Sequence, residues 1–321
     1  MKLGVLTVPL SSKSLEEALQ YLSSLGVQTV ELGAGGYPGP THLDVNKLLS
    51  DDNEVARVKD LLKKYNMEIS AISAHGNPLH PDKAIAKSFH DDFVNAVLVA
   101  EKLGVDTIIG FSGCPGDCED SKNPNWVTCA WPDDYLKILD WQWNEKIIPY
   151  WKDMSQFCKQ HNVTKIAVEM HPGFAVYNVS SLLRLRAAVG DIIGANFDPS
   201  HLIWQGVNPV EAIKALKGAI YHFHAKDTRV DMTNTAVNGV LDTGNYGDVL
   251  GRSWVFRTVG YGSDTKLWKD MLSTLAAIGY DGAISIEHED ALMSINEGLE
   301  KAIQFLKDVI IFEGACDMWW A

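Results

Sequence analysis

The sequence lacks an excess of positive charge. Its 321 residues include 28 lysines and arginines against 41 aspartates and glutamates, which gives a net charge of −13. Proteins that bind the phosphate backbone of nucleic acids, or an anionic membrane surface, concentrate positive charge on one face. We therefore expect neither a nucleic acid nor a membrane as a partner.

Long apolar runs are also missing, because no stretch approaches the roughly 20 apolar residues of a membrane-spanning helix. Residues 1–10 contain no small-residue cleavage site and predict a first strand instead of a signal peptide. Cysteines are few and odd in number, five in all, which indicates free thiols in a reducing compartment. The expected location is the cytoplasm.

What the sequence does contain is a repeated alternation of short apolar runs with amphipathic helical segments. The predicted strands lie near residues 3–8, 28–33, 68–75, 106–112, 165–171, 193–198, 220–226 and 283–288. Parallel strands joined by helices predict an α/β protein that forms a single (β/α)₈ TIM barrel over residues 1–321. An open doubly wound sheet is the alternative, but the first strand is not followed by the glycine-rich turn of a dinucleotide-binding fold.

Helix boundaries are also visible in the sequence. Ser14 and Glu17 have the spacing of a capping box, in which each residue bonds the backbone of the other. A helix over residues 83–103 is expected to end at Gly104.

Two segments are too long to be simple turns. Residues 113–132 follow the fourth predicted strand and residues 228–264 follow the seventh. Loops at the carboxyl ends of barrel strands build the active site, so we expect these two to form its wall or lid. The apolar tail, about residues 311–321, is expected to pack on the barrel or in the subunit interface of a possible homo-oligomer.

Four consecutive strands end in a residue that can ligate a metal: Glu169, Asp198, His224 and Glu287. Strand ends converge on one rim of a barrel, and alternate side chains point inward. Three carboxylates gathered there would repel one another without a cation. The mostly oxygen donor set favours one divalent cation, Mn²⁺ first, with Mg²⁺ or Co²⁺ as alternatives. A single such carboxylate is more often a helix cap or an ion-pair partner.

The strand ends at 168–173, 196–201, 222–227 and 286–289 resemble the xylose isomerase-like, sugar phosphate isomerase/epimerase superfamily. This superfamily includes ketose 3-epimerases, inosose isomerases and dehydratases, and lyases that act on 3-keto-glycosides. The resemblance spans nearly the whole chain and implies that the four residues above hold one divalent metal. It further implies that Glu169 and Glu287 act as an acid–base pair in proton transfer beside a carbonyl, through a metal-stabilised enediolate.

The chain departs from the epimerase pattern in two places. No second glutamate follows Glu169 closely, and the substrate-binding arginine of the epimerases is matched only loosely, by Arg229. Other groups that could carry protons are present instead. His171 has the inward phase of Glu169, and Lys226 has that of His224, so both are further catalytic candidates. The alternatives are that His171 supports the metal ligands and that Lys226 only pairs with an acid.

Several polar or aromatic residues near the predicted rim are candidates for contact with a carbohydrate substrate. They are His75, His201, Arg229, Arg257 and Trp126. Glu31, near the end of the second predicted strand, either contacts the substrate or orients a neighbouring side chain. For each, a structural hydrogen bond, loop packing or a solvated position is the alternative.

The leading hypothesis is a metal-dependent isomerase or epimerase of a keto-sugar or inosose. A lyase that expels a group β to the carbonyl, on a 3-keto-glycoside or as a keto-inositol dehydratase, is the second hypothesis. An abasic-site endonuclease on the same barrel conflicts with the negative charge. A sugar-binding barrel without catalysis would bind ligand but exchange no solvent deuterium into it.

Overall fold

Eight parallel strands form a closed barrel in a computed structural model that describes residues 1–314, 316–318 and 320. Around the barrel the strand order is β1-β10-β7-β6-β5-β4-β3-β2. The strands of the chain are β1 (Lys2–Leu6), β2 (Thr29–Gly33), β3 (Glu68–Ser73), β4 (Thr107–Phe111), β5 (Lys165–Glu169), β6 (Ile193–Phe197), β7 (Ile220–Ala225), β8 (Asp227–Val230), β9 (Trp254–Arg257) and β10 (Ala283–Ile286). The predicted TIM barrel is confirmed.

The barrel strands coincide with the predicted apolar runs. Strands β2, β4, β6 and β10 are buried along their whole length, since one face meets the barrel interior and the other meets the helices. Most predicted strands extend one or two residues beyond the observed carboxyl end. Those extra residues have left the ladder and turn into the rim loops, where the polar side chains of the site begin.

Helices surround the barrel and connect its strands. They are α1 (Leu15–Ser24), α2 (Val45–Ser50), α3 (Asp52–Lys64), α4 (Lys83–Leu103), α5 (Asp134–Trp141), α6 (Ile148–Gln160), α7 (Val179–Val189), α8 (Pro199–Ile203), α9 (Pro209–Ala215), α10 (Met232–Asn238), α11 (Thr265–Ala277) and α12 (Ile295–Val309). The capping box of Ser14 and Glu17 is present, and Gly104 ends α4 at φ 80°. None of the described helices has the length and apolarity needed to cross a bilayer.

The barrel interior is divided into an apolar layer and a polar layer. Ala71, Ile109 and Ala167 form a small buried apolar cluster of their own. Other buried interior residues are polar, among them Glu31, Asn196, His222, His224 and Ser285. Most buried polar groups in proteins have hydrogen-bond partners. The polar layer is therefore a hydrogen-bonded base on which the functional groups of the rim are held.

Both long rim segments predicted from the sequence are present, but they differ in structure. Residues 113–132 are irregular. The segment predicted as a loop over 228–264 instead contains α10 and an antiparallel pair, β8 with β9. Each of these strands has four residues, which is too short to show a clear alternation in the sequence. Lys226 alone separates barrel strand β7 from β8.

The predicted tail begins just after α12 ends. Ile310 is buried, whereas Ile311 and Phe312 are 40% and 44% exposed. The remaining described tail residues are exposed as well, and Ala315, Trp319 and Ala321 lie outside the described residues. Packing of the tail in a subunit interface stays a prediction.

Candidate active site

The structure brings the four predicted metal ligands together at the rim. Glu169 is the last residue of β5, Asp198 follows β6, His224 lies near the end of β7, and Glu287 follows β10. One ligand atom from each lies within 4.8 Å of those from the other three. Three of the residues are buried and Glu287 is partly so. Neighbouring parallel strands produce this convergence because their carboxyl ends meet at one rim.

The donor atoms of this group fit a divalent cation. His224 Nδ1 lies 3.2 Å from Glu169 Oε2 and 3.0 Å from Glu287 Oε2. Nevertheless His224 Nδ1 and Asp198 Oδ2 are buried and form no hydrogen bond with any described residue. Buried polar atoms are rarely left without a partner. A cation coordinated by three carboxylates and one imidazole nitrogen would satisfy both atoms.

A carboxylate behind His224 fixes the orientation of its ring. His224 Nε2 lies 2.8 Å from Glu31 Oε2, and the carboxylate can only accept, so Nε2 carries the proton and donates. Nδ1 is thereby directed at the other three ligands, as in the carboxylate–histidine pairs that support metal sites. Burial opposes the charge of Glu31, but His224 more than compensates and lowers the pKa of Glu31 to about 2. This hydrogen bond is consistent with the second of the two roles predicted for Glu31, that of orienting a neighbouring side chain.

A second close group, formed by Glu31, His222 and His224, is less suited to a metal. His222 Nδ1 lies 3.0 Å from Asn196 Oδ1, and its Nε2 lies 3.1 Å from Ser70 Oγ. Both ring nitrogens of His222 therefore already have hydrogen-bond partners. This group belongs to the polar layer beneath the site.

Lys226 places a buried positive charge beside the ligands. Its Nζ lies 3.0 Å from Glu287 Oε2, 3.3 Å from Asp198 Oδ2 and 3.2 Å from Glu289 Oε2. It also lies 4.7 Å from the ring centroid of Phe256. Burial opposes the charge, but the carboxylates prevail and raise the pKa of Lys226 well above its ordinary value. The lysine is thus charged and partly neutralises the carboxylates.

The carboxylates of the site do not share one electrostatic environment. Burial raises the pKa of Asp198 to about 7, and the charges of Glu169 and Glu287 add to this rise. Burial also disfavours the charge of Glu287, but Lys226 and His224 outweigh it and lower the pKa of Glu287. Burial likewise opposes the charge of Glu169, but His201 and His224 outweigh it and lower the pKa of Glu169 well below its usual range. Asp198 is therefore the carboxylate of the three whose charge the surrounding residues stabilise least.

His171 and His201 form a neutral imidazole pair on one side of the ligands. Their ring centroids are 4.0 Å apart, and burial lowers the pKa of both. His171 Nδ1 lies 2.6 Å from the Pro172 carbonyl oxygen, which can only accept, so Nδ1 carries the proton. Nε2 of His171 is then free of a proton and able to take one. His201 Nε2 lies 3.3 Å from Glu169 Oε1.

The predicted substrate-binding residues separate into two groups. His75 Nε2 lies 3.0 Å from Glu169 Oε2, and His75 lines the same cavity as the ligands. Trp126 lines a neighbouring cavity together with His201. Arg257 instead pairs with Asp290, at 3.1 Å from Nε to Oδ2.

Arg229 lies apart from the predicted ligands. It is exposed on β8, where the neighbouring Thr228 takes the buried phase. Arg229 and Arg257 are absent from the linings of the described cavities at the rim. The structure therefore does not bring these two arginines to the site.

Two residues of the site were missed from the sequence. Asn196 donates from Nδ2 to Glu169 Oε2 at 2.9 Å, and Glu289 contacts Lys226. Each lies two residues from a predicted ligand, Asn196 before Asp198 and Glu289 after Glu287. Because alternate residues of a strand share a face, this phase was the signal that could have found Asn196, which lies in β6, whereas Glu289 lies beyond the end of β10, where the signal does not apply.

The ligands open into a cavity of about 390 Å³, which we call the catalytic cavity. Its lining includes His75, Glu169, His171, Lys226, Glu287 and Glu289. Phe111 and Phe174 form an apolar wall, with ring centroids 4.2 Å apart. A cavity of this size, mostly apolar with a few convergent polar groups, is typical of a small-molecule site.

Comparison with known proteins gives matches along the chain. The uncharacterized protein YfiH of Bacillus subtilis (strain 168) is 38% identical over 312 residues, which is 97% of this chain and 99% of that protein. An inosose dehydratase of Clostridium botulinum (strain Alaska E43 / Type E3) is 30% identical over 149 residues, 45% of this chain and 47% of that protein. The crystal structure of the IOLI protein with a zinc atom has a TM-score of 0.65 at 18% identity, covering 97% and 98% of the two chains.

The family model described as xylose isomerase-like TIM barrel matches residues 19–309. This range includes every barrel strand except β1 and all four predicted metal ligands. The resemblance predicted from the strand ends is therefore confirmed, and the chain belongs to the xylose isomerase-like TIM barrel family.

Proposed function

We propose that this protein is a divalent-metal-dependent enzyme that moves a proton next to the carbonyl group of a keto-sugar or inosose, as an isomerase or epimerase. The observation that carries the proposal is the group of four candidate ligands, in which His224 Nδ1 and Asp198 Oδ2 are buried and form no hydrogen bond with any described residue. The family is named for its similarity to xylose isomerase, an enzyme that converts a sugar, and this similarity supports a carbohydrate substrate.

Glu169, Asp198, His224 and Glu287 would hold the cation. When bound, a divalent cation supplies Lewis-acid polarisation of a carbonyl and an adjacent hydroxyl group. Mn²⁺ is our first choice for this mostly oxygen donor set, with Mg²⁺ and Co²⁺ next. Because the similar IOLI structure contains zinc, Zn²⁺ also belongs in any test.

The chain itself supplies several groups that can accept or return a proton. Glu169 and Glu287 line the catalytic cavity and have lowered pKa values, so both are ionised at neutral pH and can act as bases. A carboxylate with a low pKa is a weak base, so close positioning and an acidified C–H bond must compensate. Lys226, charged and in the same cavity, can stabilise negative charge that develops on a substrate oxygen.

A lyase is the second candidate, and a specific observation favours it. His171 lines the catalytic cavity with a neutral ring whose Nε2 is free to take a proton. His171 and Lys226 thus add two groups that can accept or donate a proton to the two carboxylates already there. An elimination needs one group to remove a proton and another to assist the leaving group. The partial match to an inosose dehydratase agrees with dehydration.

One experiment tests the proposal and separates the two reactions. Metal-depleted protein is reloaded with each of the four cations and incubated with a panel of keto-sugars and inososes in D₂O. Isomerisation or epimerisation conserves the substrate skeleton and introduces deuterium at the carbon beside the carbonyl, whereas dehydration lowers the product mass by one water. Deuterium incorporation without metal, or none with any cation, would contradict the proposal.

A further inference from the structure

Positive charge is scarce at the mouth of the barrel. Lys226 is the only lysine or arginine among the described residues that line the catalytic cavity, and its Nζ lies within 3.3 Å of three carboxylates. Two adjoining cavities, of about 390 and 370 Å³, each share His171 with the catalytic cavity, and the described residues that line them include no lysine or arginine. Proteins bind a phosphate group through arginine, lysine or free backbone N–H groups. The backbone therefore decides whether a phosphate has a place here.

The first backbone candidate is the N-terminus of α10. Barrel enzymes frequently bind phosphate with the loops after the seventh and eighth barrel strands and the N-terminus of a short extra helix. Strands β7 and β10 hold these places here, and α10 is the short helix that follows β7. Thr233 N and Asn234 N donate to Asp231 Oδ1 at 3.0 and 2.8 Å. Asp231 therefore occupies the amides with which this helix could bind an anion.

The second backbone candidate is a group of amides between β9 and α11. Gly260 N and Gly262 N donate to Asp227 Oδ2 at 2.9 and 3.1 Å, and Ser263 N donates to Asp227 Oδ1 at 3.0 Å. Backbone amides that converge in this way form an anion-binding nest. Asp227 is fully buried, so a carboxylate of the chain itself fills the nest. A phosphate, which has the same sign of charge, is thereby excluded from it.

One further carboxylate, that of Glu289, faces the space for the ligand. Asp290 fixes the backbone beside it, since Asp290 Oδ2 accepts from Thr258 N and Oδ1 accepts from Leu292 N, each at 2.8 Å. Glu289 lines both the catalytic cavity and the adjoining cavity of about 390 Å³, and its side chain is 51% exposed. A carboxylate accepts hydrogen bonds from hydroxyl groups and repels a phosphate. Glu289 can therefore distinguish the two groups.

The remaining cation near these cavities, Arg252, is covered by aromatic rings. Its guanidinium group lies 4.3 and 4.8 Å from the ring centroids of Tyr246 and Trp254, and its Nε donates to the Trp254 carbonyl at 3.1 Å. Nη2 forms no hydrogen bond with any described residue, but Arg252 is only 2% exposed and is not among the residues that line the three cavities. Its charge is therefore not presented to a ligand there.

We infer that the substrate carries no phosphate group and that Glu289 determines this specificity, because it accepts a hydrogen bond from a substrate hydroxyl and repels an anionic group in the same place. This inference rests on the proposed function, which puts the keto-sugar or inosose in the catalytic cavity. Neither the resemblance nor the proposed reaction decides the matter, since proton transfer beside a carbonyl is the same with and without a distant phosphate. Asp227 and Asp231 contribute because they occupy the amides that could otherwise bind a phosphate.

Saturation-transfer NMR of the full chain, at a fixed concentration of free Mg²⁺, tests the inference with two pairs of unreactive probes. The pairs are D-glucitol with D-glucitol 6-phosphate, and myo-inositol with myo-inositol 1-phosphate. In the pair whose polyol binds more tightly, that polyol is expected to bind at least tenfold more tightly than its phosphate. Glu289→Gln, at a half-exposed side chain, should reduce this preference at least threefold. Glu68→Gln is the matched control, because it removes the same charge at the first residue of β3, at the other end of the barrel, and should leave the preference unchanged.

Equal or tighter binding of the phosphate, or no binding of either polyol, would overturn the inference. A preference that is the same in Glu289→Gln and in wild type would overturn the role of Glu289. The probes contain no carbonyl group, so their binding does not depend on proton transfer. Selective binding of a polyol without deuterium exchange in any keto substrate would therefore overturn the proposed reaction and leave the exclusion of phosphate standing.

Discussion

Glu31 Oε2 accepts a hydrogen bond of 2.8 Å from His224 Nε2, across the interior of the barrel from β7 to β2. Ser285 also donates to this carboxylate, at 3.2 Å, so Glu31 is itself held in place. The orientation of the candidate imidazole ligand thus depends on a residue outside the group of four candidate ligands.

Replacement of Glu31 by glutamine should therefore weaken metal binding. The substitution removes the charge that holds the Nε2–H of His224, and loss of such a supporting partner typically lowers metal affinity about 10–100-fold. Competition between the protein and a chelator for Mn²⁺ measures this change. Glu68→Gln, at an exposed glutamate of β3, is the control. Equal affinities of wild type and Glu31→Gln would show that the ring needs no such support.

Removal of the carboxylate that we propose both to bind the metal and to transfer a proton should have a larger effect on catalysis. Glu287→Gln is expected to lower turnover by about 10²–10⁴, the usual contribution of a positioned acid or base, in addition to weakening metal binding. Turnover is measured at saturating Mn²⁺ so that metal loss is compensated. Glu297→Gln, at an exposed site on α12, should behave like wild type. Wild-type turnover of Glu287→Gln after metal restoration would remove Glu287 from the mechanism.

Because carboxylates surround Lys226, the free energy of unfolding of metal-free protein should fall when that lysine is replaced. Lys226→Met leaves the buried carboxylates without their cation, and breaking a buried ion pair in this way costs about 3–5 kcal/mol. A divalent cation replaces the missing charge, so Mn²⁺ should restore more stability to the variant than to wild type. Urea unfolding with EDTA and with Mn²⁺ measures both quantities.

The control for this experiment is Lys266→Met, at a lysine whose side chain is 80% exposed and pairs with Asp270. Its free energy of unfolding should change by less than about 1 kcal/mol, since exposed ion pairs contribute little. If metal-free Lys226→Met were as stable as this control, the lysine would not stabilise the carboxylates.

Stability should decrease in mild acid because of His42. Burial lowers the pKa of His42 below its ordinary value of 6.5. Its Nε2 donates to the Lys13 carbonyl at 3.2 Å, while its Nδ1 lies 2.9 Å from Thr7 Oγ1, a pattern that fits a neutral ring. Below about pH 6.5 the unfolded chain binds a proton that the folded chain does not, so the free energy of unfolding falls as pH falls.

Comparison with His42→Gln, which does not titrate, isolates this contribution. The stability of wild type relative to the variant should fall by at most about 1.4 kcal/mol per pH unit as the pH decreases below about 6.5. Urea unfolding on both sides of that pH gives the difference. A constant difference across this range would mean that His42 keeps an ordinary pKa in the folded protein.

The barrel and the convergence of the four candidate ligands could be predicted from the sequence because each signal was local. A run such as residues 193–197 is apolar apart from Asn196, and Asp198 follows it directly. Buried parallel strands require the first pattern, and their shared rim brings the polar ends together. The helix signals at Ser14 and Gly104 were local in the same way.

The rest of the site depends on contacts that are distant in the sequence. Glu31 and His224 are 193 residues apart, so their hydrogen bond could be judged only once β2 and β7 were placed in one barrel. The positions of Arg229 and Phe256 depend on the β8–β9 pair, whose short strands left no periodic pattern. A resemblance to epimerases suggested Arg229 for the substrate, whereas the hairpin leaves it exposed to solvent.

The single-residue junction at Lys226 joins the position of this lysine to the position of the β8–β9 pair, although a protein engineer would wish to vary the two separately. The hairpin that starts there returns along β9, which carries Trp254 and Phe256, and both line a cavity that shares His171 with the catalytic cavity. Asp227, the next residue, fixes the junction by accepting hydrogen bonds from Gly260 N at 2.9 Å and Trp268 Nε1 at 3.1 Å. Grafting this hairpin between family members would therefore transfer the wall of that neighbouring cavity and the placement of the catalytic cavity's lysine as one inherited unit.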